Sequence, residues 1–198
     1  MEGKPVIVGV AGGTCSGKST LVADLAKRLG DAWRVKTFMT DHYFRKPGPT
    51  VVAPFSGKEY MERNHPDALD QERLFAEFDA AVASGEFDLV FVDGLFTLLL
   101  ERLRKDMDLK VFVDLPSDER MFRRIKRWMG YGEAMDSIVE RYLDTVRHRH
   151  AELIEPTRWF ADVVVNGTLD AHRGADVVET FVRRLLDERA RAAQADGT

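Results

Sequence analysis

The chain has 198 residues, and its 29 Lys or Arg against 33 Asp or Glu residues give a formal net charge of −4. This length is typical of one domain, and the acidic balance argues against a dedicated nucleic-acid-binding protein. The single cysteine excludes an intramolecular disulfide and favours a reducing compartment. The longest apolar run, residues 89–100, is too short for a membrane span, and the N-terminus lacks a signal-peptide pattern. We therefore expect a cytoplasmic protein without nucleic-acid or membrane partners.

Strand-like apolar runs alternate with helical patterns along the chain. The runs predict strands at residues 6–10, 35–40, 89–92, 111–114 and 163–165. Apolar residues at helical spacing predict helices at residues 18–29, 71–83, 96–105, 118–128, 134–154 and 175–191. The alternation predicts an α/β fold, with a mostly parallel sheet covered by helices on both faces of one domain, residues 1–198. Residues 41–66 are rich in Pro and Gly and predict a long functional loop, and residues 192–198 predict a flexible tail.

A phosphate-binding loop follows the first predicted strand. Residues 12–19 read GGTCSGKS and fit the pattern G-x-x-x-x-G-K-[ST] between a strand and a helix. Glycines let the backbone N–H groups point at phosphate oxygens, Lys18 places a charge beside the β- and γ-phosphates, and the Ser19 hydroxyl suits Mg²⁺. The predicted nucleotide-binding residues are Gly12, Gly13, Thr14, Cys15, Ser16, Gly17, Lys18, Ser19 and Thr20. The loop predicts a nucleotide but not the reaction, since switches, motors and kinases share it.

Three carboxylates follow predicted strands and should lie on one rim of the sheet. A kinase needs one carboxylate to accept the proton of the acceptor hydroxyl and another to hold Mg²⁺. Asp41 suits the first role and Asp93 the second. The alternatives are a turn or capping aspartate at Asp41 and a helix N-cap at Asp93. Asp114 precedes Leu-Pro and is interpreted as part of a strand-terminating turn.

A strongly basic segment lies within the predicted helix 118–128. It holds five cations in eight residues: Arg120, Arg123, Arg124, Lys126 and Arg127. No acid intervenes, so a bound polyanion would relieve their mutual repulsion. Arg124 and Arg127 share a face and could clamp a transferring phosphoryl group, with Gly130 and Gly132 as hinges of a lid at residues 120–133. The alternative is an ordinary solvated helix face.

Together these motifs resemble the uridine kinase-like group of P-loop kinases, relatives of phosphoribulokinase. The resemblance rests on GVAGGTCSGKST (9–20), TDHYF (40–44), NHPDALD (64–70), FDLVFVDGLF (87–96), VFVDLPSDERMFRRIKR (111–127) and EPTRWFADVVV (155–165). It implies a P-loop fold with a five-stranded parallel core and a short helical lid, and transfer of phosphate from ATP to a hydroxyl with Mg²⁺.

The resemblance also implies roles for individual residues. It makes Asp41 the catalytic base, Lys18, Arg124 and Arg127 the groups that stabilise the transferred charge, and Ser19 with Asp93 the magnesium ligands. The implied acceptor contacts are Asp41, Tyr43, Asn64, Arg124 and Arg141, and the adenine would lie against residues 166–170, which include Asp170.

Three departures separate the chain from uridine kinases. Asn64 stands where they usually have the first Asp of Asp-His-Pro-Asp, so a ribose diol would lose a charge-assisted hydrogen bond. Their base-binding β-hairpin before the third predicted strand is missing, since residues 84–86 lead almost directly into that strand. The lid of uridine kinases usually reads Arg-Gly-Arg, whereas this chain has Tyr131-Gly132-Glu133 at that place.

The expected reaction is ATP- and Mg²⁺-dependent phosphorylation of the primary hydroxyl of a nucleoside or similar small metabolite, in the manner of uridine and cytidine kinases. One alternative is a kinase for another acceptor, such as nicotinamide riboside, pantothenate or a sugar. Another is a nucleotide-binding regulatory ATPase without an acceptor. A homo-oligomer is compatible with the sequence.

Overall fold

The computed structural model describes residues 4–168 and 172–196. Their strands are β1 (Val6–Gly12), β2 (Val35–Met39), β3 (Thr50–Val52), β4 (Glu59–Met61), β5 (Leu89–Asp93), β6 (Leu109–Asp114) and β7 (Val163–Asn166). Five of them form a parallel sheet in the order β2-β5-β1-β6-β7, and β3 pairs with β4 as an antiparallel ribbon. The predicted α/β fold with a five-stranded parallel sheet is thereby confirmed.

Helices cover both faces of this sheet. The described helices are α1 (Lys18–Gly30), α2 (Gln71–Ala83), α3 (Glu101–Arg104), α4 (Ser117–Met129), α5 (Met135–Arg141), α6 (Arg147–Arg149) and α7 (His172–Asp196). On one face α2 contributes Leu74 and Phe78 to the core, and on the other α1 and α7 contribute residues such as Leu25 and Val182. Every residue of β1 and β5 is buried, which explains their unalternating apolar sequences.

Two predicted helices differ from the structure. Only Glu101–Arg104 is helical within the predicted span 96–105. Residues 96–100 form turns instead, because the side chains of Phe96, Leu98 and Leu100 are all buried, a spacing that one helix face does not offer. The predicted helix 134–154 is interrupted by π-helical turns at Tyr142–Val146 and His150–Ile154. The first of these turns buries three consecutive side chains, Asp144 to Val146.

The long loop predicted at residues 41–66 is more ordered than its composition indicated. It contains the β3–β4 ribbon and a 3₁₀ turn at Thr40–Tyr43. Between α2 and β5, residues 84–88 contain no strand, so the structure agrees with the missing hairpin. At the other end of the chain α7 continues to Asp196, five residues beyond the predicted helix end at Arg191.

Candidate active site

The register of the sheet places the predicted acidic residues side by side. Met39 of β2 pairs with Asp93 of β5, and Val10 of β1 also pairs with Asp93, so Asp41 follows β2 directly beside this carboxylate. The two strand ends approach so closely that a β-carbon on Gly94 would overlap the Thr40 side chain. Glycine at position 94 therefore lets the two strand ends bring Asp41 and Asp93 to one site.

The phosphate-binding loop connects β1 to α1 and is shaped by its backbone. Gly17 precedes α1 with φ of 102°, a left-handed conformation that glycine adopts without steric cost. Within the described residues, Cys15 is the non-glycine residue with positive φ, at 60°. Beside the loop lies a cavity of about 220 Å³ lined by Cys15, Gly17, Lys18, Ser19, Thr20, Arg123 and Arg127. The loop, the N-terminus of α1 and three cations thus surround one space suited to phosphate groups.

Asp93 and Ser19 form a small oxygen-rich site next to Lys18. The Asp93 side chain is 3% exposed, and its Oδ1 atom has no hydrogen-bond partner in the described residues. Burial raises the pKa of Asp93, nearby Asp41 raises it further, and the Lys18 charge and a hydrogen bond with Ser19 oppose the rise. A buried carboxylate with an unused oxygen, beside a hydroxyl and a phosphate site, fits a magnesium ion. When bound, this ion would neutralise charge on the transferred phosphate.

Helix α4 packs its arginines against the loop. Arg124 is 8% exposed, and its Nη1 donates to Thr14 Oγ1 over 3.3 Å. Burial lowers the pKa of Arg124, and its Nε is without a partner in the described part of the chain. Arg127 hydrogen-bonds with Tyr131 and Cys15, and these bonds raise its pKa. Arg124 is therefore buried rather than part of a solvated helix face, whereas Arg127 is exposed and lines the cavity beside the phosphate-binding loop.

A larger cavity of about 380 Å³ adjoins the phosphate site on the side of β7. It is lined by Gly17, Thr20, Leu21, Asp24, Val113, Arg123, Val165, Asn166, Gly167, Thr168 and Ala175. Arg123 closes one wall, because its Nη1 donates to the carbonyl of Gly167 over 2.8 Å. The cavity includes residues 166–168 of the segment predicted to hold adenine, whereas Asp170 lies outside the described residues.

A third cavity, of about 230 Å³, adjoins the phosphate site on the side of Asp41. It is lined by Thr14, Asp41, Phe44, Arg63, Asn64, Leu95, Arg124, Arg127, Trp128 and Arg141. It brings four of the five predicted acceptor contacts together, whereas Tyr43 is not among its lining residues. Tyr43 is 6% exposed, and its hydroxyl donates to Glu77 Oε2 over 2.6 Å. Burial and this bond raise the pKa of Tyr43 to about 12.

Phe44 lines the cavity in place of Tyr43, because the 3₁₀ turn after β2 buries Tyr43 and leaves Phe44 beside the cavity. The sequence did not predict Arg63 in this cavity or Arg123 in the cavity of about 380 Å³ beside β7. Arg123 lay inside the basic run, where its position beside the pair Arg124 and Arg127 gave a signal. Arg63 directly precedes the Asn-His-Pro-Asp motif, which offered a weaker signal.

Comparison with known proteins identifies the family. The uridine kinase of Chloroflexus aggregans is 33% identical over 213 aligned positions, which cover 96% of this chain and all of the relative. The uridine kinase of Lactobacillus helveticus is 29% identical, with 93% of this chain and 97% of the relative covered. A model of the phosphoribulokinase/uridine kinase family matches residues 75–171. The chain belongs to the phosphoribulokinase/uridine kinase family.

Membership of the phosphoribulokinase/uridine kinase family confirms the resemblance drawn from the motifs and makes the chain an enzyme of the phosphotransferase class. A solved structure from Silicibacter sp. TM1040, provisionally named a fructose transport system kinase, shares the fold. Its TM-score is 0.62 at 20% identity, with 81% of this chain and 89% of that chain covered.

Two features that the described residues lack bear on the surroundings of the site. Within residues 4–168 and 172–196, no helix is long and apolar enough to cross a membrane. The same residues contain no group of three or more His, Cys, Asp or Glu side chains arranged to hold a metal ion. A magnesium ion at Ser19 and Asp93 would therefore depend on nucleotide phosphates and water for its remaining ligands.

Proposed function

We propose that this protein is a kinase that uses ATP and Mg²⁺ to phosphorylate the primary hydroxyl of a nucleoside or similar small metabolite. The observation that carries the proposal is that three cavities adjoin one another in a row. We call the cavity of about 380 Å³ the base-sized cavity, that of about 220 Å³ the phosphate cavity and that of about 230 Å³ the acceptor cavity. The base-sized and phosphate cavities share Gly17, Thr20 and Arg123, and the phosphate and acceptor cavities share Arg127. A donor nucleotide and an acceptor would therefore meet at the end of the phosphate-binding loop.

The residues around this meeting point match the needs of in-line phosphoryl transfer. Asp41 lines the acceptor cavity, and its exposed carboxylate can accept the proton of a bound hydroxyl as the oxygen attacks phosphorus. Lys18, Arg124 and Arg127 would stabilise the negative charge on the transferred group. Ser19 and Asp93 would hold the magnesium ion. Asn64 and Arg141 would orient the acceptor.

The names of the relatives support a nucleoside acceptor, since both curated proteins described above are uridine kinases. The base-sized cavity supports ATP as the donor. The acidic chain and its single cysteine support one cytoplasmic domain that works without nucleic acid, and no helix among the described residues could cross a membrane. A second candidate remains a kinase for a different acceptor, and the missing hairpin between α2 and β5 favours it.

Acceptor-dependent ADP formation tests this proposal. Purified protein with ATP and Mg²⁺ is offered uridine, cytidine, nicotinamide riboside, pantothenate and simple sugars, and phosphorylated products are identified by mass spectrometry. We expect ADP release to require one of these acceptors and to match product formation one to one. ADP release at the same rate without any acceptor would instead indicate a regulatory ATPase.

A further inference from the structure

The acceptor cavity carries more positive charge than a neutral acceptor needs. We infer that the acceptor bears a carboxylate or phosphate group apart from its reacting hydroxyl, and that Arg63 and Arg141 bind this group. The inference rests on the proposed function and names its acceptor class more closely.

The first support is an imbalance of charge in the cavity wall. Four arginines line the cavity, and Asp41 is the one carboxylate among the lining residues. None of the four forms an ion pair with a carboxylate in the described part of the chain. Arg124 and Arg127 contact Thr14 and Cys15 of the phosphate-binding loop, which places them toward the transferred phosphate. Arg63 and Arg141 are left without such an anion.

The second support is that Arg63 and Arg141 are anchored at the same place by neutral atoms. The Nη2 of Arg63 lies 3.5 Å from the Met61 sulfur, and its guanidinium stacks over the Phe44 ring at 5.5 Å. The Nη2 of Arg141 donates to the Met61 carbonyl over 3.0 Å. Both guanidinium groups therefore sit near the end of β4 with most of their N–H donors unused, as a bidentate site for an oxyanion requires.

The third support is that the acidic side chains next to these arginines are occupied elsewhere. Buried Glu62 accepts from the Asn64 backbone N–H over 2.7 Å and pairs with Arg149 over 3.2 Å. Glu140 pairs with Lys58, and Asp144 accepts from the Ser56 and Tyr60 hydroxyls. Asp41 is the remaining carboxylate beside these arginines in the cavity, and the proposed function assigns it to the reacting hydroxyl.

The Asn64 side chain completes the argument. It lines the cavity at the position where uridine kinases usually carry an aspartate, so the cavity has lost a negative charge beside Arg63. A neutral acceptor would cover two guanidinium groups without compensating their charge, which is unfavourable. An acceptor with an oxyanion would instead form charge-assisted hydrogen bonds with them.

Matched acceptor probes test this inference. Uridine, orotidine and uridine 3′-monophosphate share a free primary hydroxyl and differ in bearing no anion, a carboxylate or a phosphate. Glycerol, glycerate and glycerol 3-phosphate form a second such series. Binding is measured by calorimetry with Mg²⁺ and a non-hydrolysable ATP analogue present, so that the phosphate-binding loop is already filled.

We expect at least one anionic probe to bind 10-fold or more tightly than its neutral counterpart, because charge-assisted hydrogen bonds are stronger than those between neutral groups. The relative affinities of the carboxylate and phosphate probes identify which anion is preferred. Arg63→Gln should remove most of this preference. The matched control Arg184→Gln deletes an exposed cation on α7 and should leave it unchanged. Circular dichroism and thermal unfolding check that both variants fold.

Equal affinities within both series, absence of binding by every anionic probe, or an undiminished preference in Arg63→Gln would overturn the inference. Phosphoryl transfer to the same probes is assayed separately. Transfer to neutral acceptors without an anion preference would refute the inference and leave the proposed function intact. An anion preference in binding, abolished by Arg63→Gln and without transfer to any acceptor, would support the anion site and refute the kinase proposal.

Discussion

Asp93 is a carboxylate whose burial works against its own ionisation. Burial raises its pKa above the unfolded value, so the folded state binds this proton more tightly than the unfolded chain does. The ionised side chain therefore destabilises the apo protein at neutral pH, and this penalty falls as pH decreases through the folded pKa toward the unfolded value. Such a penalty is typical of a group kept for binding a cation rather than for stability.

The variant Asp93→Asn should separate the stability penalty of the buried carboxylate from its role in binding magnesium. At pH 7.5 we expect a higher melting temperature than wild type in the absence of nucleotide and magnesium, and a smaller difference at an acidic pH below the folded pKa of Asp93. Magnesium-dependent turnover should fall by about 100-fold or more, as for loss of a group that places transition-state charge. Thermal unfolding at both pH values and initial rates measure the effects, with Asp187→Asn on the exposed side of α7 as control. A lower melting temperature at pH 7.5 would contradict this account of Asp93.

At the scale of elements, the close approach of the β2 and β5 ends sets the distance between the proposed base, Asp41, and the proposed magnesium site at Asp93. A methyl group at Gly94 would collide with Thr40, the residue before Asp41. We expect Gly94→Ala to cost about 1–3 kcal/mol of stability by overpacking and to lower turnover more than it weakens ATP binding. Gly30→Ala is the matched control, because open space surrounds position 30. Denaturant unfolding and steady-state rates are measured for both variants. Unchanged rates in Gly94→Ala would refute the claim that the approach of the two strand ends controls turnover.

The β3–β4 ribbon is attached to the π-helical turn through Asp144. The Asp144 carboxylate accepts from the hydroxyls of Ser56 over 2.6 Å and Tyr60 over 3.1 Å. Asp144→Ala should destabilise the protein by about 1–3 kcal/mol through the loss of these bonds.

Loosening this ribbon should also raise the acceptor KM, because Arg63 and Asn64 follow β4 directly, while the affinity for ATP stays unchanged. Acceptor and ATP titrations of Asp144→Ala, beside Asp187→Ala, measure this split. Equal weakening of both ligands would show that the ribbon is not specific to the acceptor cavity.

At the scale of the whole molecule, nucleotide binding should stabilise the fold. Ligand at 100 times its Kd adds about 2.7 kcal/mol to the unfolding free energy, so magnesium and ATP should raise the melting temperature by several degrees. Lys18→Ala should lose most of this rise at the same ATP concentration, whereas Lys27→Ala, an exposed lysine on α1, should keep it. A full shift in Lys18→Ala would place the nucleotide elsewhere.

The sequence predicted the sheet because strands covered on both faces must be apolar throughout, and β1 and β5 are. It predicted α2 to the residue, since one apolar stripe at helical spacing faces the core. It failed at residues 96–100, where Phe96, Thr97, Leu98 and Leu100 are all buried by packing between helices and sheet. The 41–66 segment lacks periodicity, and its ribbon is ordered by contacts to residues about 80 positions away, such as Ser56 with Asp144. Phe44 and Arg63 were therefore missed for the same physical reason.

We propose above all that Asp41 accepts the proton of an acceptor hydroxyl while ATP occupies the neighbouring cavities. The most direct measurement compares wild type and Asp41→Asn for transfer of the ATP γ-phosphoryl group to the acceptor identified by the panel, alongside ATP affinity. Loss of a general base predicts a turnover reduced by about 100- to 10,000-fold with ATP affinity unchanged. Turnover within twofold of wild type would contradict the account.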